Sequence, residues 1–291
     1  MIDYRKARDW QSGDVRHAYT PRDTMLYALG LGLGADPLDE KQLRFVYEKE
    51  LAALPTMAAV LASPGFWMRE RKEIGIDFMK LVHGEQAVRL HAPLPPSGTV
   101  VGRTRVTRLV DKGEGKGAIL HAEKELVDGD GQALATVESV YFLRGDGGFS
   151  AGDGQCDEPA PALPAEHPAA DVAPQLTLDL PTRPDQALLY RLSGDMNPLH
   201  AEPAFAAKVG FARPILHGLA TWGMAGRGLL AAYADSDPAR LRAMRARFSA
   251  PVYPGETLRL ESWRDGTGVA FRLRALERDV LVLTHGRAEL L

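Results

Sequence analysis

Two regions of the chain contain runs of alternating or β-branched residues, separated by Gly and Asp turns. The runs cover residues 100–111, 117–128 and 133–144 in the first region, and 258–265, 269–278 and 279–290 in the second. Alternation with a period of two is typical of antiparallel strands that bury one face. The pattern predicts an antiparallel sheet in each half of the chain.

Each sheet region begins with a similar local sequence. HAPLPPSGTV at residues 91–100 and SAPVYPGETL at residues 249–258 share Ala-Pro, an apolar residue, a second Pro, and then Gly and Thr in the same order. The simplest interpretation is a duplication, in which the two halves have the same fold.

One apolar segment of helical type precedes the strands of each half. In the second half it is residues 217–234, which include many small residues, as a helix closely wrapped by a sheet requires. In the first half the best candidate is residues 54–62, with Pro55 near the start, where proline is tolerated. A helix followed by an antiparallel sheet, twice over, predicts the α+β class.

A segment rich in Gly, Pro and Ala separates the two halves. Because it contains few large apolar residues, it cannot form a core of its own and is predicted to be a linker. The expected organisation is therefore a first half at residues 1–145, a linker at 146–173 and a second half at 174–291.

Charge and cysteine content exclude several classes of protein. The formal net charge is -3, with 35 basic and 38 acidic residues interspersed, so we expect neither a nucleic acid nor a membrane as partner. Cys156 is the single cysteine, which excludes an intramolecular disulfide and a multi-cysteine metal site. Without a signal-like segment or a long apolar run, the chain is expected to be cytoplasmic.

The segment YRLSGDMNPLH, residues 190–200, concentrates groups that carry chemistry. If Pro198 begins a short helix after a loop, the side chains of Asp195 and His200 converge. The alternative is that Asp195 or Asn197 caps a helix and that His200 is an ordinary hydrogen-bonded histidine.

The next segment, RPILHGLAT, brings the chain to the start of the apolar helix with Gly218 in its first turn. Free backbone N–H groups and the positive end of the helix dipole favour a developing negative oxygen there, unless Gly218 merely relieves packing. An acid/base pair and an oxyanion donor together are what the addition of water to a carbonyl-conjugated double bond requires.

Residues 190–230 resemble the signature of the MaoC-like, hydratase-2 family of (R)-specific enoyl-CoA hydratases, and residues 245–263 resemble that family's next block. In the first half, segments at residues 27–34, 45–62, 83–95 and 111–119 resemble the non-catalytic half of two-domain hydratase 2. The resemblance covers nearly the whole chain outside the linker.

This resemblance implies a double hotdog fold, in which each half is an antiparallel sheet wrapped around a helix. It implies that Asp195 and His200 are catalytic, that Asn197 is the amide between them, and that the Gly218 N–H receives the thioester oxygen. The substrate would be a trans-2-enoyl-CoA and the product a (3R)-3-hydroxyacyl-CoA, without a metal or redox cofactor. The first half lacks the Asp-x-Asn-Pro-x-His motif and would accommodate a long or bulky acyl chain.

Other residues are weaker candidates for substrate binding. Glu48 and the stretch that contains His83 and Gly84 match family positions and would line the acyl pocket or hold the interface between the halves. His217 would orient the start of the helix or contact substrate. The remaining two, Arg245 and Arg247, would meet CoA phosphates or form a solvated strand edge.

Three other functions stay open. The same chemistry run backwards would make the protein a 3-hydroxyacyl-thioester dehydratase acting on CoA or acyl carrier protein. The second alternative is a thioesterase, and the third is a non-catalytic acyl-CoA-binding protein. The intact Asp-x-Asn-Pro-x-His motif disfavours the non-catalytic alternative. We also expect a homodimer.

Overall fold

The computed structural model describes residues 1–152, 154–163, 172–266 and 268–291. The helices are α1 Tyr4–Arg8, α2 Pro21–Gly30, α3 Glu40–Val46, α4 Trp67–Glu70, α5 Gln186–Tyr190, α6 Pro203–Lys208 and α7 Gly218–Tyr233. The strands are β1 Val15–Tyr19, β2 Leu81–Leu90, β3 Gly98–Asp111, β4 Ala118–Asp128, β5 Ala133–Leu143, β6 Leu176–Pro181, β7 Leu241–Phe248, β8 Thr257–Asp265, β9 Gly268–Ala275 and β10 Val280–Leu290. Short 3-10 helices include Pro55–Ala59 and Pro198–His200.

The strands of the described residues form one antiparallel sheet in the order β1-β3-β4-β5-β2-β7-β10-β9-β8-β6. Five strands come from each half, and the two groups meet where β2 pairs with β7. The two sheets expected from the sequence are therefore joined edge to edge. All six strands predicted by alternation are confirmed as β3, β4, β5, β8, β9 and β10.

Helix α7 is the central helix of the second half and confirms the helix predicted at residues 217–234. Its small residues allow close approach of the first half. A β-carbon on Gly223 would lie 2.8 Å from Leu31, and one on Gly226 would lie 2.7 Å from Thr56. Elements of both halves thus pack on α7 and share one large apolar core.

The helix predicted at residues 54–62 is wrong in type and length, because only Pro55–Ala59 is helical and the turn is a 3-10 helix. The Lys124 ammonium donates hydrogen bonds to the carbonyl oxygens of Ala58, Ala59 and Leu61. A longer helix would need these oxygens as acceptors for its own backbone hydrogen bonds. Ala62 then adopts a φ of 48°, a left-handed conformation that ends the helical path. The first half consequently has no long central helix in its described residues.

Part of the segment predicted to be a linker is attached to the first half. Phe149 is buried in a second apolar cluster there, and Asp157 accepts hydrogen bonds from Leu109 N and the Tyr4 hydroxyl. Residues 153 and 164–171 of the predicted linker lie outside the described residues. Within the described residues, no helix has both the length and the apolar character needed to cross a membrane.

Candidate active site

A cavity of about 890 Å³ lies against residues of both halves. Asp195, Asn197, His200 and Gly218 line it from the second half. From the first half it is lined by β-sheet residues and by part of residues 59–68. The predicted motif and the first half therefore face the same space.

Asp195 and His200 converge, as the sequence predicted. Gly194 has a φ of 116°, which turns the chain sharply, and the 3-10 helix that starts at Pro198 brings His200 back. A carboxylate oxygen of Asp195 and ring nitrogens of His200 and His217 lie within 4.8 Å of one another. This separation allows one water molecule to bridge the Asp195 carboxylate and the His200 ring.

The hydrogen bonding of His200 leaves one ring nitrogen available. Nδ1 lies 2.8 Å from the carbonyl oxygen of Ile215, which can only accept, so Nδ1 carries the proton in the neutral ring and Nε2 has a free lone pair. Burial lowers the pKa of His200, while the Asp195 charge and the Ile215 carbonyl act in the opposite direction. The ring is therefore neutral near pH 7 and able to accept a proton.

Asn197 serves the local backbone. Its Oδ1 accepts a hydrogen bond from Leu199 N at 3.0 Å, and its own N–H donates to Asp195 Oδ1 at 3.1 Å. The capping alternative is thus observed for Asn197, which also lines the cavity. These bonds fix the loop between the two candidate catalytic groups.

His217 links the Asp195 loop to the start of α7. Its Nε2 donates to the backbone carbonyl of Asp195 at 3.0 Å, and its ring stacks on that of His200 with centroids 3.7 Å apart. Burial, with His200 alongside, lowers the pKa of His217 to about 2. The neutral ring therefore holds Asp195 and His200 in place.

A metal ion is a second possible occupant of this cluster, since Asp195, His200 and His217 each offer one ligand atom. The two imidazole rings are stacked with an interplanar angle of 27°. Lone pairs of imidazole nitrogens lie in the ring plane, so those of stacked rings do not converge on one ion. The geometry favours an acid/base pair over a metal centre.

The N-terminus of α7 opens onto the cavity at Gly218. The first N–H groups of a helix lack partners within the helix and carry partial positive charge. A β-carbon on Gly218 would lie 3.3 Å from the Phe248 ring, so a larger residue there would press on this side chain. The N-terminus can therefore stabilise negative charge on a ligand oxygen.

First-half side chains complete the wall beside this centre. The His83 ring lies between Tyr141 and Phe248, with centroid distances of 4.9 and 5.0 Å. Burial lowers the pKa of His83 to about 4, and its Nε2 lies 3.1 Å from the Glu85 carbonyl. Gly84 lies at a strand irregularity between His83 and Glu85, and a β-carbon there would lie 3.3 Å from the Val140 carbonyl oxygen.

Three weaker candidates lie away from the cavity lining. Glu48 is exposed in the turn after α3. Arg245 and Arg247 alternate with the buried Met244 and Ala246, and so project from the opposite face of β7, where Arg247 binds Glu85 at 2.7 Å. The structure does not bring these three residues to the acid/base pair.

The sequence reasoning missed Tyr141, Phe248 and Lys124, all of which line the cavity. Lys124 alone carried a usable signal, because it is a charged residue at a buried position of the alternating strand β4. The two aromatic residues look like ordinary core residues in the sequence.

Comparison with known proteins agrees with this geometry. The sequence matches the family of the MFE-2 hydratase 2 N-terminal domain over residues 17–145 and that of the MaoC like domain over residues 166–285. The chain belongs to the MaoC-like, hydratase-2 family. It is 38% identical to the enoyl-CoA hydratase ChsH3 of Mycobacterium tuberculosis, covering 98% of this chain and 97% of that protein.

Solved structures of MaoC-like proteins have the same fold. The MaoC-like dehydratase of Phytophthora capsici superimposes with a TM-score of 0.83 at 31% identity, covering 100% of this chain and 99% of that one. A Mycobacterium tuberculosis protein described as a double hotdog fold matches with a TM-score of 0.52 at 16% identity, over 91% of each chain. The predicted double hotdog fold is confirmed.

Proposed function

We propose that this protein is an (R)-specific 2-enoyl-CoA hydratase, which adds water to a trans-2-enoyl-CoA to give the (3R)-3-hydroxyacyl-CoA. One observation carries the proposal. A carboxylate and a neutral imidazole lie within 4.8 Å of each other on a cavity that also receives the N-terminus of a long helix.

The reaction follows from the roles of these groups. Asp195 and His200 hold one water molecule. As the water oxygen bonds to C3, the pair accepts a proton from the water, and the pair delivers a proton to C2 on the same side. The π electrons shift toward the thioester oxygen, whose negative charge the Gly218 N–H stabilises until C2 is protonated. Because Asp195 and His200 interact closely, acid and base are assigned to the pair.

The test is an assay of the purified chain with a trans-2-enoyl-CoA. We expect loss of the conjugated enoyl-thioester absorbance without release of free CoA thiol, and a product of (3R) configuration on chiral analysis. Release of thiol at the same rate would instead identify a thioesterase. Binding without turnover would identify an acyl-CoA-binding protein.

A 3-hydroxyacyl-thioester dehydratase is the second candidate, favoured by the name of a Mycobacterium tuberculosis relative, 3-hydroxyacyl-thioester dehydratase Y, which is 42% identical over 87% of this chain and 84% of that protein. It uses the same groups in reverse. Turnover of 3-hydroxyacyl and enoyl thioesters, each on CoA and on acyl carrier protein, separates the two: a hydratase prefers the CoA thioesters.

The proposed substrates have medium or long, or bulky, acyl chains. Support comes from the cavity, which continues from Asp195 to the first-half residues Ala59, Phe66 and Met68. Each buried methylene adds about 0.8 kcal/mol of binding free energy until the cavity ends. We therefore expect kcat/KM to rise from crotonyl-CoA to longer enoyl-CoAs and then level off; a steady fall from the shortest substrate would contradict this proposal.

The proposal includes no cofactor, because coenzyme A is part of the substrate and hydration involves no redox change. The cytoplasmic location and the homodimer stay predictions. Sedimentation of the purified chain tests the second of these.

A further inference from the structure

Lys124 occupies an unusual position in β4. It lies between Ala122 and Leu126 on the buried face of the strand, and only 5% of the residue is exposed. Lysine is almost never fully buried unless its charge is compensated. The Lys124 amino group inside an apolar core therefore requires hydrogen-bond partners.

Those partners are backbone carbonyls. The Lys124 Nζ donates to Ala58 O at 3.0 Å, to Ala59 O at 3.1 Å and to Leu61 O. An ammonium has three N–H groups, so all three are used. Burial lowers the pKa of Lys124 to about 7, and no carboxylate forms an ion pair with it among the described residues.

The three carbonyls belong to the end of the 3-10 helix Pro55–Ala59 and the turn after it. Two further contacts fix the same turn: Ala62 N donates to His17 Nδ1 at 2.9 Å, and a β-carbon on Gly102 would lie 2.6 Å from Ala62 O. Residues from β1, β3 and β4 thus hold one short stretch of backbone.

That stretch forms a wall of the cavity. Ala59, Val60 and Ser63 line the cavity together with Lys124 itself. They lie in the first-half part, whereas Asp195, His200 and Gly218 belong to the second half. The position of the wall therefore determines how much space this side of the cavity offers, which is where the proposed function places the distal part of the acyl chain.

We infer that Lys124 is a positioning residue for acyl-chain specificity: by binding the carbonyls of Ala58, Ala59 and Leu61, it holds residues 58–63 back and keeps the first-half part of the cavity open. This inference rests on the proposed function for the direction in which the acyl chain lies. Without the ammonium, three carbonyls lose their donors, and a buried carbonyl without a partner is unfavourable. Because Ala59, Val60 and Ser63 border the cavity, a displaced backbone can move into it.

The test compares Lys124→Met, which keeps the length of the side chain and removes the donors, with the matched control Lys116→Met at an exposed turn position. Binding of the non-reacting ligands butanoyl-CoA and dodecanoyl-CoA is measured by calorimetry, below the melting temperature of each variant. We expect Lys124→Met to weaken dodecanoyl-CoA binding by at least about tenfold, the equivalent of roughly two buried methylenes, and to change butanoyl-CoA binding by less than about threefold.

Kinetics supply a second readout. For the Lys124→Met variant, KM for twelve-carbon enoyl-CoA should rise by a larger factor than KM for crotonyl-CoA. Equal rises for both chain lengths, or no change in either, would overturn the inference. If wild-type protein binds both ligands but hydrates neither substrate, the proposed function fails and the binding comparison still decides the role of Lys124.

If Lys124→Met does not fold, Ala59→Leu tests the wall with the three hydrogen bonds intact. The larger side chain fills the same part of the cavity, so it should weaken dodecanoyl-CoA binding selectively. Unchanged binding would overturn the assignment of residues 58–63 as the acyl wall.

Discussion

Two neighbouring histidines at the site have opposite hydrogen-bonding patterns. His200 binds a carbonyl through Nδ1 and leaves Nε2 free, whereas His217 binds a carbonyl through Nε2 and has a buried, unpartnered Nδ1. Each pattern is determined by a backbone oxygen that can only accept. His200 therefore has a ring nitrogen that can accept a proton, whereas the hydrogen bond of His217 holds the Asp195 backbone.

Removing either member of the acid/base pair should abolish most of the activity. We expect Asp195→Asn and His200→Gln each to lower the hydration rate by at least about a hundredfold, the usual contribution of a positioned acid or base. Steady-state kinetics on folded variants measures this. Asp130→Asn and His91→Gln, at exposed positions, are the controls; a near-wild-type rate for either site variant would eliminate the proposed mechanism.

The buried histidines also predict how stability depends on pH. Burial lowers the pKa of His83 from 6.5 to about 4, so the unfolded chain binds the proton first as the pH falls. The contribution of His83 to the free energy of unfolding should therefore be constant above pH 6.5 and decrease from there toward pH 4. Urea denaturation across this range measures how steeply the free energy of unfolding changes with pH. That slope is proportional to the number of protons taken up on unfolding, which His83→Phe should reduce by up to about one. An unchanged slope in His83→Phe, or a reduced slope in the exposed control His91→Gln, would refute the assignment.

At the scale of elements, α7 combines two functions. Its N-terminus faces the cavity at Gly218, and its glycines further along allow the first half to pack closely against it. The helix that carries the proposed oxyanion donor is consequently held by both halves of the chain. Substitutions on its buried face should disturb packing between the halves.

Gly226→Ala tests this packing by the sign of its effect. Alanine is favoured over glycine inside a helix by up to about 1 kcal/mol, but a β-carbon here would lie 2.7 Å from Thr56 Cγ2. The Thr56 hydroxyl accepts from Tyr27, which limits its rotation. We expect a net destabilisation of about 1–3 kcal/mol, measured by urea denaturation.

The double variant Gly226→Ala with Thr56→Ala supplies the control. If the contact with Thr56 causes the loss, the two substitutions together should be less destabilising than the sum of each alone. Stabilisation by Gly226→Ala would mean that the helix does not pack this closely.

In the whole molecule, the two halves of the duplication contribute different parts of the same cavity. The first half lacks the Asp-x-Asn-Pro-x-His motif, and its side chains contribute walls to the cavity that contains the motif of the second half. The duplication has therefore produced one cavity lined by both halves, rather than one equivalent site in each half.

This division predicts one binding site in each chain. Titration with a tight, non-reacting acyl-CoA should reach saturation at one equivalent per 291-residue chain. Calorimetry measures the stoichiometry, with the wild-type protein at a concentration well above the dissociation constant. Two equivalents of equal affinity would contradict the division of roles.

Several features of the fold and of the site follow from local patterns in the sequence. Alternation predicted β3, β4, β5, β8, β9 and β10, because period-two burial is encoded residue by residue. The small-residue segment predicted α7, and the spacing of Gly, Pro and His predicted that Asp195 and His200 converge. These depend on chain geometry over a few residues.

Tertiary structure decided the rest, because contacts between distant segments determine it. Residues 54–62 have apolar helical character. Lys124, more than sixty positions away, donates hydrogen bonds to backbone carbonyls of this segment, and the segment forms a 3-10 turn. The pairing of β2 with β7 joins the sheets of the two halves into one sheet. It also places His83 beside Phe248. The same fold places Arg245 and Arg247 on the face away from the cavity, since strand direction and register determine which side chains face inward.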